Sequence, residues 1–141
     1  MEIQEVSQWL QSRTAEGVVP HEIGIFVRSA AQLDRAKAAA AKAGLTCKVL
    51  DDHVETISGS ASVCTMHIAK GLEFRTVAVM ACDDKVIPLQ ERVEQVGEDP
   101  DLKEVYDTER HLLYIACTRA RDCLLVSAAG PASEFLDDMV L

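Results

Sequence analysis

Residues 62–82 read SVCTMHIAKGLEFRTVAVMAC, and the order of residue types in this stretch decides the fold. The runs 62–67 and 76–82 are mainly apolar, which is typical of buried strands. The helical turn between them carries Lys70 and Glu73 around a glycine. Apolar sequence that changes abruptly into ionisable side chains and a glycine indicates a strand that leads into a functional loop.

The residues before this stretch alternate between helix and strand patterns. Residues 2–16 place apolar side chains at helical spacing, and the run 22–29 is typical of a buried strand. An alanine-rich helix then ends at Gly44, and residues 45–50 form the next strand. This alternation predicts an α/β fold with a parallel sheet, in one domain that spans residues 1–141.

The residues after this stretch begin with an acidic segment. Residues 91–107 contain a glycine and a proline and have weak periodicity, so we expect a mobile loop or a loosely held helix. Residues 108–122 have a helical apolar face, and residues 123–128 are typical of a last strand. A short closing helix is expected after Pro131.

Composition limits the class of protein. The net charge is −9, and much of the acidic excess lies in residues 91–109. Acidic proteins are not typical nucleic-acid binders, but this uneven distribution leaves room for a local basic groove. No apolar run approaches the roughly 18 residues of a membrane span, and the first residues lack a signal pattern. We therefore expect a cytoplasmic protein with no membrane partner.

Cysteine and histidine spacing argues against a metal centre or a disulfide framework. The five cysteines are odd in number, form no CxxC pair and mostly lie in apolar runs. We expect most of them to be buried, reduced thiols. The four histidines are scattered, so no metal site is predicted.

Several common catalytic motifs are absent, among them the GxxxxGK[ST] phosphate loop, the GxGxxG fingerprint and the GxSxG elbow. Charged residues at strand and helix ends remain, and ligands of parallel sheets bind outside the carboxyl ends of the strands. The backbone N–H of Gly71 and the guanidinium groups of Arg28 and Arg119 suit a phosphate. Equally, Lys70 and Glu73 fit a solvated pair, and Arg119 fits a helix C-terminal charge. Spacing alone leaves both interpretations open.

Two longer segments resemble helicase motifs. TMHIAKGLEF (65–74) resembles motif V of the UvrD/Rep-type superfamily 1 DNA helicases, a T-x-H-x-x-K-G-L-E-[FW] pattern. ERHLLYIACTRARDCLLVS (109–127) resembles their motif VI, in which E-R-R-L-L-Y-V-A-x-T-R-A-R runs into a strand. The two motifs stand in the family's order. The resemblance covers roughly residues 22–136, nearly the whole chain.

The resemblance implies a RecA-like α/β domain of the P-loop NTPase type. It would be the second motor domain of a two-domain ATP motor and would have no Walker A loop of its own. ATP with Mg²⁺ would be held by an N-terminal RecA-like domain, which this chain lacks, and the present domain would contact the nucleotide across a cleft. The implied partners are that N-terminal domain and single-stranded DNA. The implied function is ATP hydrolysis coupled to translocation along single-stranded DNA and to duplex unwinding.

The resemblance also implies roles for individual residues. Arg119 matches the arginine finger, which stabilises charge on the γ-phosphate and makes it the implied catalytic residue. Gly71 and Glu73 would bind the nucleotide beside it. The residues implied to contact DNA are Thr65, His67 and Lys70. The residues implied to support the helix and the cleft are Arg28, Glu109 and Arg110.

The chain departs from the family pattern in two respects. Only the eleven residues 51–61 stand where relatives carry a large inserted subdomain, so the duplex-binding role of that insertion is not implied here. The motifs of the N-terminal half are absent, so we expect the isolated chain to be inactive and the helicase activity to need the full-length protein. The alternatives are a free-standing RecA-like binding or regulatory module without ATPase activity, and the motor half of a nuclease–helicase fusion.

Overall fold

The structure is a computed structural model that describes residues 2–50, 59–70, 72–83, 86, 94, 99–128, 133 and 135. In chain order its main elements are α1 (Glu2–Ala15), β1 (Ile23–Val27), α2 (Leu33–Lys42), β2 (Cys47–Val49), β3 (Ala61–Thr65), α3 (Met66–Ala69), β4 (Phe74–Val79), α4 (Asp99–Cys117) and β5 (Ala120–Val126). Single turns of 3₁₀ helix precede β1 and α2. None of the helices in the described ranges combines the length and the apolar character needed to cross a bilayer.

The five strands form one sheet in the order β2-β3-β1-β4-β5, and all four neighbouring pairs are parallel. This arrangement confirms the predicted α/β fold with a parallel sheet flanked by helices. Because the strands are parallel, all of them end on one side of the sheet, which we call the carboxyl edge. The opposite side, where they begin, is the amino edge.

The sheet is covered on both faces, which explains why its strands are apolar throughout. All five residues of β1 are buried. Ile23, Ile25 and Val27 belong to the core that α1 and α2 complete, whereas Phe26 belongs to the core formed with α3 and α4. The predicted continuous apolar run therefore serves two cores at once.

One glycine is required by a close approach inside the sheet. A Cβ atom placed on Gly24 would lie 2.5 Å from a ring carbon of Phe74 on the neighbouring strand. The Phe74 ring makes an edge-to-face contact with Phe26, with the ring centroids 5.8 Å apart. Gly24 thus leaves the space in which the second aromatic ring of this pair sits.

The acidic segment differs from its prediction. Helix α4 begins at Asp99, so a mobile loop is wrong for residues 99–107, where the structure has the alternative, a helix. Val105 is buried, and Tyr106 packs against the same core as Leu113, which compensates for the weak periodicity. Pro100 lies in the first turn, where a missing N–H costs no helical hydrogen bond.

The end of α4 also differs from its prediction. The helix stops at Cys117, and β5 begins at Ala120 rather than at Cys123. The N–H of Phe74 donates to the carbonyl oxygen of Arg119 at 2.9 Å, and Phe74 pairs with Ala120 in the sheet. This pairing draws the chain into the sheet early, so Arg119 lies in a turn and not in the helix. The closing helix expected after Pro131 lies outside the described residues, apart from positions 133 and 135.

The cysteines follow the expectation from composition. All five are free thiols, and Cys64, Cys82 and Cys117 are buried. Burial raises the pKa of the Cys64 thiol to about 12 and that of Cys117 to about 11. The pKa of Cys82 is raised further by burial and, to a smaller extent, by neighbouring ionisable groups that include Cys117. These three thiols therefore stay protonated at neutral pH.

Helix α1 is attached to the carboxyl edge by a buried carboxylate. The side chain of Glu2 is 1% exposed and accepts hydrogen bonds from the Ala81 N–H at 2.7 Å, the Ser127 hydroxyl at 2.8 Å and Nη1 of Arg35 at 3.2 Å. Ala81 has a φ of 57°, a left-handed conformation that costs a non-glycine residue roughly 1–2 kcal/mol. The hydrogen bond from its N–H to Glu2 helps to hold this conformation. Arg35 also pairs with Asp83 at 3.2 Å.

We expect Glu2→Ala to lower the free energy of unfolding by roughly 2–4 kcal/mol, because three buried or half-buried donors lose their acceptor. Urea denaturation of the 141-residue chain, followed by circular dichroism, measures this change. Glu5→Ala is the matched control, since Glu5 is exposed in the same first turn and contributes at most about 1 kcal/mol through the helix dipole. Equal losses in the two variants would contradict the role assigned to Glu2.

We also expect the cysteines to differ in reactivity. Only the thiolate form is alkylated, so Cys64, Cys82 and Cys117 should resist iodoacetamide at pH 8 while the partly exposed Cys47 and Cys123 react. Mass spectrometry of peptides from the native chain gives the order of labelling. Labelling in denaturant is the control, where all five should react at similar rates. Early labelling of Cys82 in the native chain would contradict the burial described here.

Candidate functional site

A buried ion pair joins β1 to α4. Arg28 directly follows β1, and its Nε and Nη2 atoms donate to the two carboxylate oxygens of Glu109 at 2.8 and 2.6 Å. The two side chains are 3% and 0% exposed. Glu109 lies between Val105 and Leu113 on the buried face of α4. This two-point contact fixes the middle of α4 against the carboxyl edge of the sheet.

A third residue completes this group. Nη1 of Arg28 lies 3.2 Å from Nε2 of His67, the second residue of α3. Strand β3 ends at Thr65, which pairs with Val27, so the register of β1 and β3 brings His67 beside Arg28. We call Arg28, Glu109 and His67 the Arg28 cluster. It connects three segments that are far apart in the sequence.

The other residues assigned to DNA or to support are half-buried or exposed and lie outside this cluster. Thr65 is half-buried at the end of β3, and Lys70 is exposed one residue after α3. Arg110 is exposed, pairs with Asp107 at 3.5 Å and places its guanidinium carbon 4.7 Å from the ring centroid of Phe135. Thr65 and His67 thus lie at the carboxyl edge with Arg28, whereas Arg110 contacts the C-terminal part of the described chain.

The described residues that are assigned to nucleotide binding lie at the opposite edge of the sheet. Glu73 directly precedes β4, and Arg119 directly precedes β5, so both lie at the amino edge. The expectation that Glu73 lies outside the carboxyl end of a strand is therefore wrong, whereas Arg119 lies just before the last strand, as expected from the sequence. The reason is that the chain between β3 and β4 crosses the whole sheet on the side of α4. Gly71 belongs to this crossing segment and lies outside the described residues.

The surroundings of Arg119 suit an anion. Its Nη2 donates to the Thr118 hydroxyl at 3.1 Å, and its Nη1 contacts the Leu72 carbonyl oxygen at 3.4 Å. Its Nε is buried and has no hydrogen-bond partner within the described part of the chain. Buried donors in proteins normally have partners, so a phosphate oxygen would supply what this guanidinium lacks.

Glu73 and Arg121 form the nearest ion pair to Arg119. Nε of Arg121 lies 3.7 Å from a carboxylate oxygen of Glu73, and both side chains are more than half exposed. Such a pair contributes little to stability because water screens it. The Glu73 carboxylate therefore remains accessible to a ligand at small cost.

Sequence reasoning identified Arg28 and Glu109 but not their partnership. The two residues are 81 positions apart, and no local pattern joins them. A signal was nevertheless present, because Glu109 interrupts the apolar face of a helix and Arg28 follows an apolar strand directly. A charged residue in such a position is buried only when it is paired, which predicts a partner of opposite sign.

We expect the Arg28–Glu109 pair to show strong coupling in a double-mutant cycle. Arg28→Met alone should lower the free energy of unfolding by about 3–5 kcal/mol, because it leaves a buried carboxylate without its cation. Arg28→Met combined with Glu109→Leu should recover much of this loss. Arg121→Met is the control on an exposed pair and should change stability by less than about 1 kcal/mol. Additive effects at positions 28 and 109 in urea denaturation would contradict the assignment.

Known proteins that resemble this chain include DNA helicases. It is 38% identical to the ATP-dependent DNA helicase UvrD1 of Mycobacterium leprae over 85 residues, which is 60% of this chain and 10% of that protein. It is 35% identical to the ATP-dependent DNA helicase PcrA of Staphylococcus aureus MRSA252 over 78 residues, which is 55% of this chain and 10% of that protein. The chain thus spans about a tenth of the length of these relatives.

A solved structure supports the fold. The C-terminal domain of a possible DNA helicase from Lactobacillus plantarum WCFS1 superposes with a TM-score of 0.66 at 24% identity, and the match covers 95% of this chain and 70% of that one. The sequence profile of the UvrD-like helicase C-terminal domain matches residues 6–130. This match covers most of the chain and includes both motifs that carry the resemblance, so the chain belongs to the family of UvrD-like helicase C-terminal domains.

Proposed function

We propose that this chain is the second motor domain of an ATP-dependent DNA helicase and that Arg119 is its arginine finger. The observation that carries the proposal is the buried Nε of Arg119, which has no hydrogen-bond partner among the described residues. An arginine finger must keep donors available for the charge that develops on the transferred phosphoryl group. The relatives named ATP-dependent DNA helicases support the same activity for the full-length protein.

The nucleotide side of the domain is its amino edge. Arg119 would donate to a phosphate oxygen there, and Glu73 would accept a hydrogen bond from the ribose or another part of the nucleotide edge. Gly71, two residues before Glu73 in the chain, would bind the nucleotide with it. Bound ATP with Mg²⁺ supplies the phosphoryl group that water attacks. The chain has no phosphate loop, so an N-terminal RecA-like domain would hold the metal and most of the nucleotide.

The DNA side of the domain is its carboxyl edge. Thr65, His67 and Lys70 follow β3 there and offer a hydroxyl, an imidazole and an ammonium group. Such groups suit the phosphates of single-stranded DNA. The whole chain carries a net charge of −9, which repels DNA phosphates. Much of the affinity for DNA would therefore come from the N-terminal domain. The segment from Thr65 to Phe74 joins the DNA side to the nucleotide side, which suits a motor that couples the two ligands during translocation.

The second candidate is a RecA-like binding or regulatory module without ATPase activity. The buried Arg28–Glu109 pair favours neither candidate, because it stabilises the domain in both. The relatives named ATP-dependent DNA helicases favour the motor, and the unpartnered Nε of Arg119 agrees with it, although Nε of Arg13 is unpartnered as well among the described residues.

The first experiment uses the protein that contains both this domain and the phosphate-loop domain. In that protein, we expect Arg119→Ala to lower the rate of ATP hydrolysis by roughly 10³-fold or more. The affinity for a single-stranded oligonucleotide should change by less than about threefold, because Arg119 lies at the edge opposite to the DNA side. Steady-state phosphate release and fluorescence anisotropy measure the two quantities.

The control for this experiment is Arg121→Ala, which removes an exposed guanidinium two residues away. This variant should keep most of the turnover. The isolated 141-residue chain should release no phosphate from ATP above background. Wild-type turnover in Arg119→Ala would rule out the arginine finger, and turnover by the isolated chain would rule out the division of the site between two domains.

A further inference from the structure

The hydrogen bonds of Arg28 define the chemical state of His67. A guanidinium group can only donate hydrogen bonds and accepts none. Two of its nitrogens already donate to the carboxylate of Glu109, which fixes the plane and the direction of the group. The remaining Nη1 lies 3.2 Å from Nε2 of His67, so Nε2 must be the acceptor in this contact.

An imidazole that accepts at Nε2 carries its proton on Nδ1. A neutral imidazole has one N–H donor and one acceptor nitrogen, and a hydrogen bond at one nitrogen selects the tautomer. Free histidine in water prefers the proton on Nε2, so the Arg28 cluster imposes the less common form. Within the described part of the chain, Nδ1 of His67 has no hydrogen-bond partner, and the residue is exposed. A single donor therefore remains available at this point of the carboxyl edge.

We propose that the Arg28 cluster fixes His67 as an Nδ1–H donor to a phosphodiester oxygen of single-stranded DNA and thereby connects DNA binding to α4. The DNA part rests on the function proposed above. The connection runs from DNA through the imidazole and the guanidinium to Glu109. Glu109 stands eight residues, about 12 Å, before the end of α4 at Cys117, and Arg119 lies in the turn that follows. A shift of His67 on DNA binding is thus transmitted to the helix that positions Arg119.

The tautomer can be measured directly in the isolated chain. In ¹⁵N-labelled protein, long-range ¹H–¹⁵N correlation spectra distinguish the protonated from the bare ring nitrogen of each of the four histidines. The signals of His67 are those that disappear in His67→Gln. We expect a protonated Nδ1 and a bare Nε2 at neutral pH. A protonated Nε2 with a bare Nδ1 would overturn the proposal, and this result does not depend on whether the protein is a helicase.

Removing the cluster tests what imposes the tautomer. Arg28→Met combined with Glu109→Leu deletes both buried charges together, so the fold loses less stability than it would with either change alone. His67 should then show the proton on Nε2 as its main form. Retention of the Nδ1–H form in this variant would mean that another group selects it, which would overturn the role of Arg28.

Two substitutions of His67 test the roles of Nε2 and Nδ1 one at a time. They are made in the protein that contains both motor domains. The Oε1 atom of His67→Gln replaces Nε2 as the acceptor for Arg28, but this variant lacks the donor at Nδ1. The amide N–H of His67→Asn replaces the donor at Nδ1, but this variant lacks the acceptor. We expect His67→Gln to weaken binding of a labelled oligothymidylate roughly tenfold or more, as for a hydrogen bond to a charged group. His67→Asn keeps a donor, so it should bind more tightly than His67→Gln, but it should lose most of the stimulation of ATP hydrolysis by DNA.

The outcomes distinguish this inference from the proposed function. If His67→Gln binds the oligonucleotide as tightly as the unmodified protein, or if His67→Asn keeps full stimulation, the inference is wrong while the helicase function stands. If the unmodified protein shows neither DNA binding nor ATP hydrolysis, the proposed function fails and the DNA contact of His67 fails with it. The spectrum of the isolated chain then still decides the tautomer.

Discussion

The ion pair between Arg28 and Glu109 is the constraint on which the rest of this domain depends. Two charges without access to water are costly, and each is tolerated only because the other satisfies it at two points. The pair therefore permits one position of α4 relative to β1. Apolar contacts alone would tolerate small sliding of the helix, because leucine and valine side chains have no directional preference. The hydrogen bonds between Arg28 and Glu109 are directional and therefore oppose such sliding.

The local elements of this fold were predictable because each depends on a short pattern. The apolar run 22–29 and the alanine-rich segment before Gly44 have the periods of a strand and a helix, and the structure has both. The start of α4 was not predictable from such patterns. Its acidic side chains hide the period, and the packing of Tyr106 against the core, with its ring contact to Phe135, depends on residues distant in the sequence.

The residues of the candidate site could be selected from the sequence, but their contacts could not. Arg28 was selected as a charged residue at a strand end, and the two motifs selected His67, Glu109 and Arg119. The structure brings Arg28, His67 and Glu109 into contact. These contacts depend on the order of the strands, which no local sequence encodes, because β1 lies between β3 and β4 although it precedes both in the chain. Arg119 lies at the opposite edge because it precedes its strand, whereas Arg28 directly follows one.

The segment between β3 and β4 also sets a length. Thr65 pairs at the carboxyl edge and Phe74 at the amino edge, so eight residues must pass from one edge to the other. Four of them form α3, which leaves four residues to reach the start of β4. A deletion here would therefore disturb one of the two strand pairings, whereas a substitution leaves the length of the connection unchanged.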